Sequence, residues 1–175
     1  MPPAYPFLPK SNRSLRPGQF WSIPLACGRF ACGRVLAVPP AAEKNRREFY
    51  AGLLDWAGDA PPTFASIAGR RIIEQGLAHI KTFTAHNVPI RGCRPLALDQ
   101  VELPLTVAQA CWQPGAVVMQ GYEVVRYSQP EDHPEQYVSG PSGITRIERP
   151  GALPVRSTWG HSVLYALAER HFGPA

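Results

Sequence analysis

RPGQFWSIPLACGRFACGRVLAV, residues Arg16–Val38, is the stretch whose reading decides the fold. Phe20, Ser22 and Pro24 alternate with Trp21, Ile23 and Leu25, which is the two-residue period of a strand with two different faces. Ala26-Cys27-Gly28 then supplies turn chemistry, and Phe30-Ala31-Cys32-Gly33-Arg34-Val35-Leu36 reads as the returning strand of a β-hairpin. The segment holds no nucleophile setting, metal cluster or phosphate loop, so it reads as a scaffold that presents a surface.

The chain has 175 residues and no long apolar run of the kind that spans a bilayer, so one compact domain following a short arm is expected. Twenty prolines are spread along it, about twice the ordinary frequency. Proline donates no ladder hydrogen bond and breaks helix interiors, so the sequence favours short strands, edges and structured loops. The N-terminus lacks a basic region followed by an apolar run, which leaves a cytoplasmic location as the expectation. Net charge is +5, yet basic residues occur at most two in a row, Arg46-Arg47 and Arg70-Arg71, and do not interleave with aromatics.

Working outward from the hairpin, residues 1–15 form a proline-rich arm whose Tyr5, Phe7 and Leu8 could dock on the domain. REFYAGLLDW has Phe49, Ala51 and Leu53 on one face and Tyr50, Leu54 and Trp56 on the other, so this strand is expected to be central. Thr63 is placed to cap a short helical turn over 64–68 that Gly69 ends. Arg71–Glu74 and Leu77–Phe83 read as two strand segments with a bulge at Gly76, and a helix is the competing reading, since Ile72, Ile73, Leu77 and Ile80 also fit helical spacing. Val88–Gly92 is an edge strand, 93–113 is irregular, 116–128 holds one bent strand or two, and 128–143 is an exposed loop. At the C-terminus Trp159, Val163, Leu164, Leu167 and His171 recur at helical spacing, which predicts an amphipathic helix over 158–172, capped by Ser157 or Thr158 and stopped at Gly173-Pro174. The fold class is therefore α+β, mainly β, with a small SH3-like partly open barrel or a strongly bent antiparallel sheet over 16–175 and the last helix packed on it.

The chemistry-bearing residues have plain structural readings. His79 could act as a general base beside Asp55 or Glu74, but one histidine between Ala78 and Ile80 is more often a hydrogen-bonded structural residue. The other histidines lack metal-ligand spacing, and Cys27, Cys32, Cys93 and Cys111 form no paired zinc motif, so free thiols, no metal and no cofactor are expected. No serine lies in a nucleophile elbow, and single glycines form no phosphate cradle. Trp21, Trp56, Trp112 and Trp159 fall on separate elements, the usual distribution of core anchors; any left exposed would be recognition candidates.

PGQFWSIPLACGRFACGRVLAV resembles the opening of the bacterial immunity protein twenty-six family, where a strand ending in Ile-Pro-Leu turns through Gly-Arg-Phe into Gly-Arg-Val-Leu. FYAGLLDW, the Pro-Thr before a short helix, IIEQGLAHI and the late TWGHSVLYAL continue the resemblance, which covers roughly Arg16 to Gly92 and the terminal helix. It implies a protein that binds and neutralises a toxin of a polymorphic toxin system, with no catalytic residues. The first hairpin is also similar to those of SH3-like barrels.

Two functional readings follow. In the first, the chain is a non-enzymatic immunity protein whose contact group is Trp21, Arg29, Arg34, Asp55, Trp56, His79 and Lys81. Its basic charge then points to a toxin with an acidic active face, or to one that is not a nuclease. The alternative is a nucleic-acid-binding barrel that places Arg29, Arg34, Arg70, Arg71 and Lys81 on phosphates. A small hydrolase would need a deep polar pocket, which nothing in the sequence demands.

Overall fold

The hairpin forms as its alternation requires. In the computed structural model, which describes residues 4–39, 46–103, 106–110, 122–126, 145–147 and 155–174, β1 (Gln19–Pro24) pairs antiparallel with β2 (Phe30–Ala37). Trp21, Ile23 and Leu25 enter the main core, while Phe20 enters a smaller cluster with Cys32, Leu54 and Ile67. The turn closes through the Leu25 N–H donating to the Arg29 carbonyl, with Gly28 in the left-handed region at φ +82°, where a side chain is disfavoured.

Within the span read from the sequence as one domain, contacts gather into two compact units, residues Met1–Glu102 with Trp159–Ala175, and Leu103–Thr158. In the first, β3 (Glu48–Gly58) pairs with β2 on one side and β4 (Ile72–His79) on the other, and β5 (Ile90–Cys93) pairs with β1. The order β5-β1-β2-β3-β4 is antiparallel throughout, and β3 is central as expected. Phe49, Ala51 and Leu53 face the main core; Leu54, with Trp56 against it, faces the smaller cluster. In the second unit β6 (Thr106–Ala110) pairs antiparallel with β7 (Tyr122–Arg126), β7 antiparallel with β8 (Thr145–Ile147), and β6 parallel with the start of β9 (Val155–Gly160), whose last two residues belong to the first unit. The first unit is thus an antiparallel β sheet, not closed into a barrel, with the C-terminal helix packed on it, and the pairing in the second is mixed.

The sheet has a free end at β5, and the N-terminal arm pairs with it there. Phe7 and Ile90 exchange backbone hydrogen bonds of 3.1 and 2.9 Å, so the arm lies along this strand. Tyr5 and Phe7 dock against the main core, and Leu8 stays exposed. Asn12 is buried and its side-chain amide donates to the Glu48 carbonyl, which fastens the arm to the start of β3.

The expected bulge at Gly76 is absent. Gly76 stands in register opposite Ala51, the register shift of this pairing falling instead between Leu53 and Leu54, where Ile73 is passed over, and a Cβ on Gly76 would lie 2.5 Å from the Trp159 indole. The glycine serves close approach of a large ring rather than a bend. Nor does the strand continue to Phe83: it ends at His79 and is followed by the short helix α1 (Lys81–Thr84). This turn drops Phe83 into the core, with ring centroids 4.9 Å from Trp21 and 5.2 Å from Phe49.

The last helix is shorter than predicted. α2 spans Val163–Phe172, and Trp159 belongs to β9, separated from the helix by Gly160 at φ +57°. Trp159 matches the helical period by coincidence of spacing; its burial comes from the strand. Leu164 and Ala168 are the helix's buried residues, and Val163 stands exposed. α2 packs on β2 and β3, and its end is anchored where Glu169 accepts the Ala26 N–H and where Arg170 and His171 both bond Glu74. The β6 strand, TVAQA, lies in the stretch read as irregular, being too short to signal itself. β7 falls within 116–128, where the sequence predicts strand; residues 116–121 and the expected loop over 128–143 lie outside the described residues.

Gly33 lies under the Trp21 indole, where an added Cβ would overlap the ring. Gly33→Ala is therefore expected to lower unfolding free energy by about 1–3 kcal/mol. Combining it with Trp21→Phe should cost less than the sum of the single changes, because the smaller ring relieves the overlap. Urea denaturation of the four proteins of this cycle measures both, and additivity of the two changes would contradict the packing described.

Candidate functional site

Arg34, expected on a partner-facing surface, lies inside. Its position on β2 is opposite Phe20, on the side of the sheet that carries the smaller cluster. There its side chain is fully buried beneath a chain segment, 94–99, whose 3₁₀ turn Leu96–Asp99 delivers a carboxylate to it. Arg34 Nη1 lies 2.8 Å from Asp99 Oδ2, and Nη2 donates to the carbonyls of Arg94 at 2.6 Å and Pro95 at 3.2 Å. Arg94 adds a second guanidinium, with Nε 2.9 and 3.0 Å from the two Asp99 oxygens. The close approach of this segment to β1 depends on Gly18, at φ +90°, since any Cβ there would strike the Arg94 carbonyl.

Asp99 also reaches a second loop. Its Oδ1 accepts the Gly69 N–H at 2.8 Å, which joins the 63–69 turn to the 94–99 segment through one carboxylate. The 63–69 turn is closed on itself by reciprocal bonds: the Thr63 N–H donates to Ser66 Oγ and the Ser66 N–H to Thr63 Oγ1. Ile67 plugs the turn into the smaller cluster, and the Arg94 guanidinium lies 4.5 Å over the Phe64 ring. Two surface loops are thus fixed to the sheet by one ion cluster.

The electrostatics of that cluster are set by competition. Burial alone pushes the Asp99 carboxyl up; the Gly69 N–H and the Arg94 and Arg34 guanidiniums outweigh it and hold the group below the ordinary carboxylate value. A buried charge pair of this kind positions chain segments because breaking it leaves an uncompensated charge inside.

The remaining residues singled out by sequence do not converge on one point. Trp21 is fully buried, edge-on to Phe49 and Phe83, so it is a core residue and not a contact residue. Arg29, exposed in the hairpin turn, pairs with Asp59 at 3.3 Å. Asp55 pairs with Arg71 at 2.9 Å, and Trp56 is partly buried against the smaller cluster. His79 and Lys81 lie at the other end of β4, where the Lys81 N–H donates to His79 Nδ1 at 3.1 Å. Burial, then the charges of Lys81 and Arg47, hold the His79 imidazole below its ordinary pKa, against a smaller opposing effect of Glu48. The structure brings neither Asp55 nor Glu74 to His79: the first meets Arg71, and the second meets Arg170 and His171.

Sequence reasoning missed Phe64, Gly69, Arg94 and Asp99. Their one available signal was the Thr63 cap and the Gly69 stop, which located the turn without its partner. Cys27, Cys32 and Cys93 are free thiols, burial pushing that of Cys32 far up; Cys111 and Trp112 lie outside the described residues. Among the described residues no group of three or more His, Cys, Asp or Glu is placed to hold a metal ion, and no helix is long and apolar enough to cross a membrane. No protein-family model, curated protein or solved structure matches this chain.

Removing the carboxylate charge tests the cluster. Asp99→Asn is expected to cost about 3–5 kcal/mol of unfolding free energy, because it leaves buried guanidinium charge uncompensated. The pH dependence has a fixed sign. Asp99 titrates lower folded than unfolded, so its stabilisation is present above the unfolded carboxylate value and is lost as pH falls through the folded one. Chemical denaturation should show the gap between wild type and Asp99→Asn narrowing from about pH 6 to about pH 3. A gap that stays constant over this range would refute the assignment.

Proposed function

We propose that this chain is an immunity protein that binds one cognate bacterial toxin domain in the cytoplasm and blocks it by occupying its surface, with no bond chemistry of its own. The observation that carries this reading is the Arg34–Asp99 pair: interior charges hold two surface loops in fixed positions, which suits presentation to a partner. Loops held rigid before binding lose little freedom when they dock, so more of the contact energy appears as affinity. The order of short motifs from Arg16 to Gly92, which resembles the immunity protein twenty-six family, supplies the toxin as partner.

The contact group of this reading keeps Arg29, Asp55, Trp56, His79 and Lys81, and gives up Trp21 and Arg34 to the interior. Its alternative, nucleic-acid binding, also loses Arg34 to the interior, while Arg29 and Arg71 are exposed and face Asp59 and Asp55. Arg70 and Lys81 are exposed as well.

Coexpression with the polypeptide encoded beside this chain is the test. The expected result is protection of the cells and co-purification of a stoichiometric complex. Neither protection nor complex with any neighbouring toxin would overturn the proposal, and binding to duplex DNA that weakens steeply with salt, with a log–log slope of about −0.9 per phosphate contacted, would replace it with the alternative.

A further inference from the structure

α1 is a four-residue turn between β4 and β5, too short to hold itself together. Ile80, ahead of it, has no side-chain acceptor, and the first helical N–H, that of Lys81, donates instead to His79 Nδ1 at 3.1 Å. The rest of the turn hangs from the same junction: the Ile80 N–H donates to the Arg47 carbonyl at 2.6 Å, and the Phe83 and Thr84 N–H groups donate to the Ile80 carbonyl at 3.0 and 3.4 Å. From there α1 sends Phe83 into the main core, and the Thr82 carbonyl accepts the Tyr165 hydroxyl of α2 at 2.9 Å. One imidazole nitrogen thus stands where β4, α1 and the tether to α2 meet.

A ring nitrogen that accepts an N–H carries a lone pair and no proton, so this bond requires the neutral imidazole in its Nε2–H form. Protonation puts a hydrogen on Nδ1 and turns the acceptor into a donor that faces another donor. The surroundings also oppose the charge: burial first, then Lys81 on α1 and Arg47 ahead of β3, with a smaller part from His161 ahead of α2, outweigh Glu48, which stands opposite His79 in the β3–β4 register. His79 is half-buried, so protons reach it without unfolding. We propose that His79 is an acid-sensitive latch: its protonation breaks the bond to the Lys81 N–H, and the 80–88 turn then opens more often and loosens its hydrogen bond to α2. Because the folded ring titrates lower than a free one, the latch is shut above the ordinary histidine value and weakens as pH falls through that value towards the folded one. His86, on the same turn, stacks on the Tyr165 ring at 4.0 Å between centroids and stands 6.5 Å from His161, so variants must separate these two histidines from His79. The device does not depend on which partner the chain binds.

Amide hydrogen exchange of the full-length chain, expressed as protection relative to an unstructured peptide at the same pH, reads the latch at about pH 7.5 and about pH 5. Between the two, protection of the Lys81, Ala85 and Val88 amides is expected to fall about three- to tenfold, the worth of one hydrogen bond, while amides of β2 keep theirs. His79→Asn keeps an acceptor oxygen near the place of Nδ1 and has no proton to gain, so its protection should be the same at both pH values. His86→Gln and His161→Gln should retain the wild-type fall. The inference is overturned by an absence of any fall in the wild type, by an equal fall in His79→Asn, or by loss of the fall in His86→Gln or His161→Gln. If His79→Asn does not fold, nitrogen chemical shifts of the wild-type His79 ring decide. Nδ1 unprotonated at about pH 7.5, with the Lys81 amide resonance following the ring's titration, supports the latch; a protonated Nδ1 there, or a Lys81 amide indifferent to the titration, overturns it.

Discussion

The contact between the Arg34 guanidinium and the Asp99 carboxylate, both sealed from solvent, is the constraint on which the placement of the 63–69 and 94–99 segments depends. β2 supplies the cation from the centre of the sheet, and a distant 3₁₀ turn supplies the anion. Two carbonyls, a second guanidinium and the Gly69 N–H surround the pair, while the buried Arg34 Nε has no hydrogen-bond partner among the described residues. Burying such a pair brings little net stability, since desolvation cancels much of the Coulomb gain. What it gives is position: neither loop can shift without exposing a buried charge to an apolar environment.

The sheet has two differently used sides. One carries the main core of Trp21, Phe49 and Phe83, closed by α2 through Leu164 and Ala168. The other carries a smaller cluster of Phe20, Cys32, Leu54 and Ile67, and it is on this side that the polar cluster and its loops are built. The first side holds the fold together, and the second fixes the 63–69 and 94–99 segments. Separating the two tasks lets exposed residues such as Phe64 change without disturbing the core.

Much of the architecture is legible in the sequence because it follows from local period. The alternation of Trp21 and Ile23 against Phe20 sets both faces of the hairpin, the two apolar faces of REFYAGLLDW make β3 central, and Thr63 with Gly69 bounds a turn. The misreadings share one cause, which is that close tertiary contact overrides local pattern. Gly76 reads as a bulge until the Trp159 ring is seen against it, and Trp159 reads as helical until Gly160 is seen to turn the chain. Arg34 reads as a surface residue because a charged residue among strand alternation is normally solvated. Its partner lies far along the chain, and no spacing rule connects the two.

Amide hydrogen exchange at Gly69 tests the central claim most directly, since that N–H lies in an exposed loop whose protection rests on Asp99. With the cluster intact, exchange should be slowed by about a hundredfold or more relative to an unstructured peptide, and Arg34→Met should abolish most of that slowing while core amides of β2 and β3 stay protected. Gly69 exchanging at the unstructured rate in the wild-type protein, or unchanged in Arg34→Met, would contradict the account.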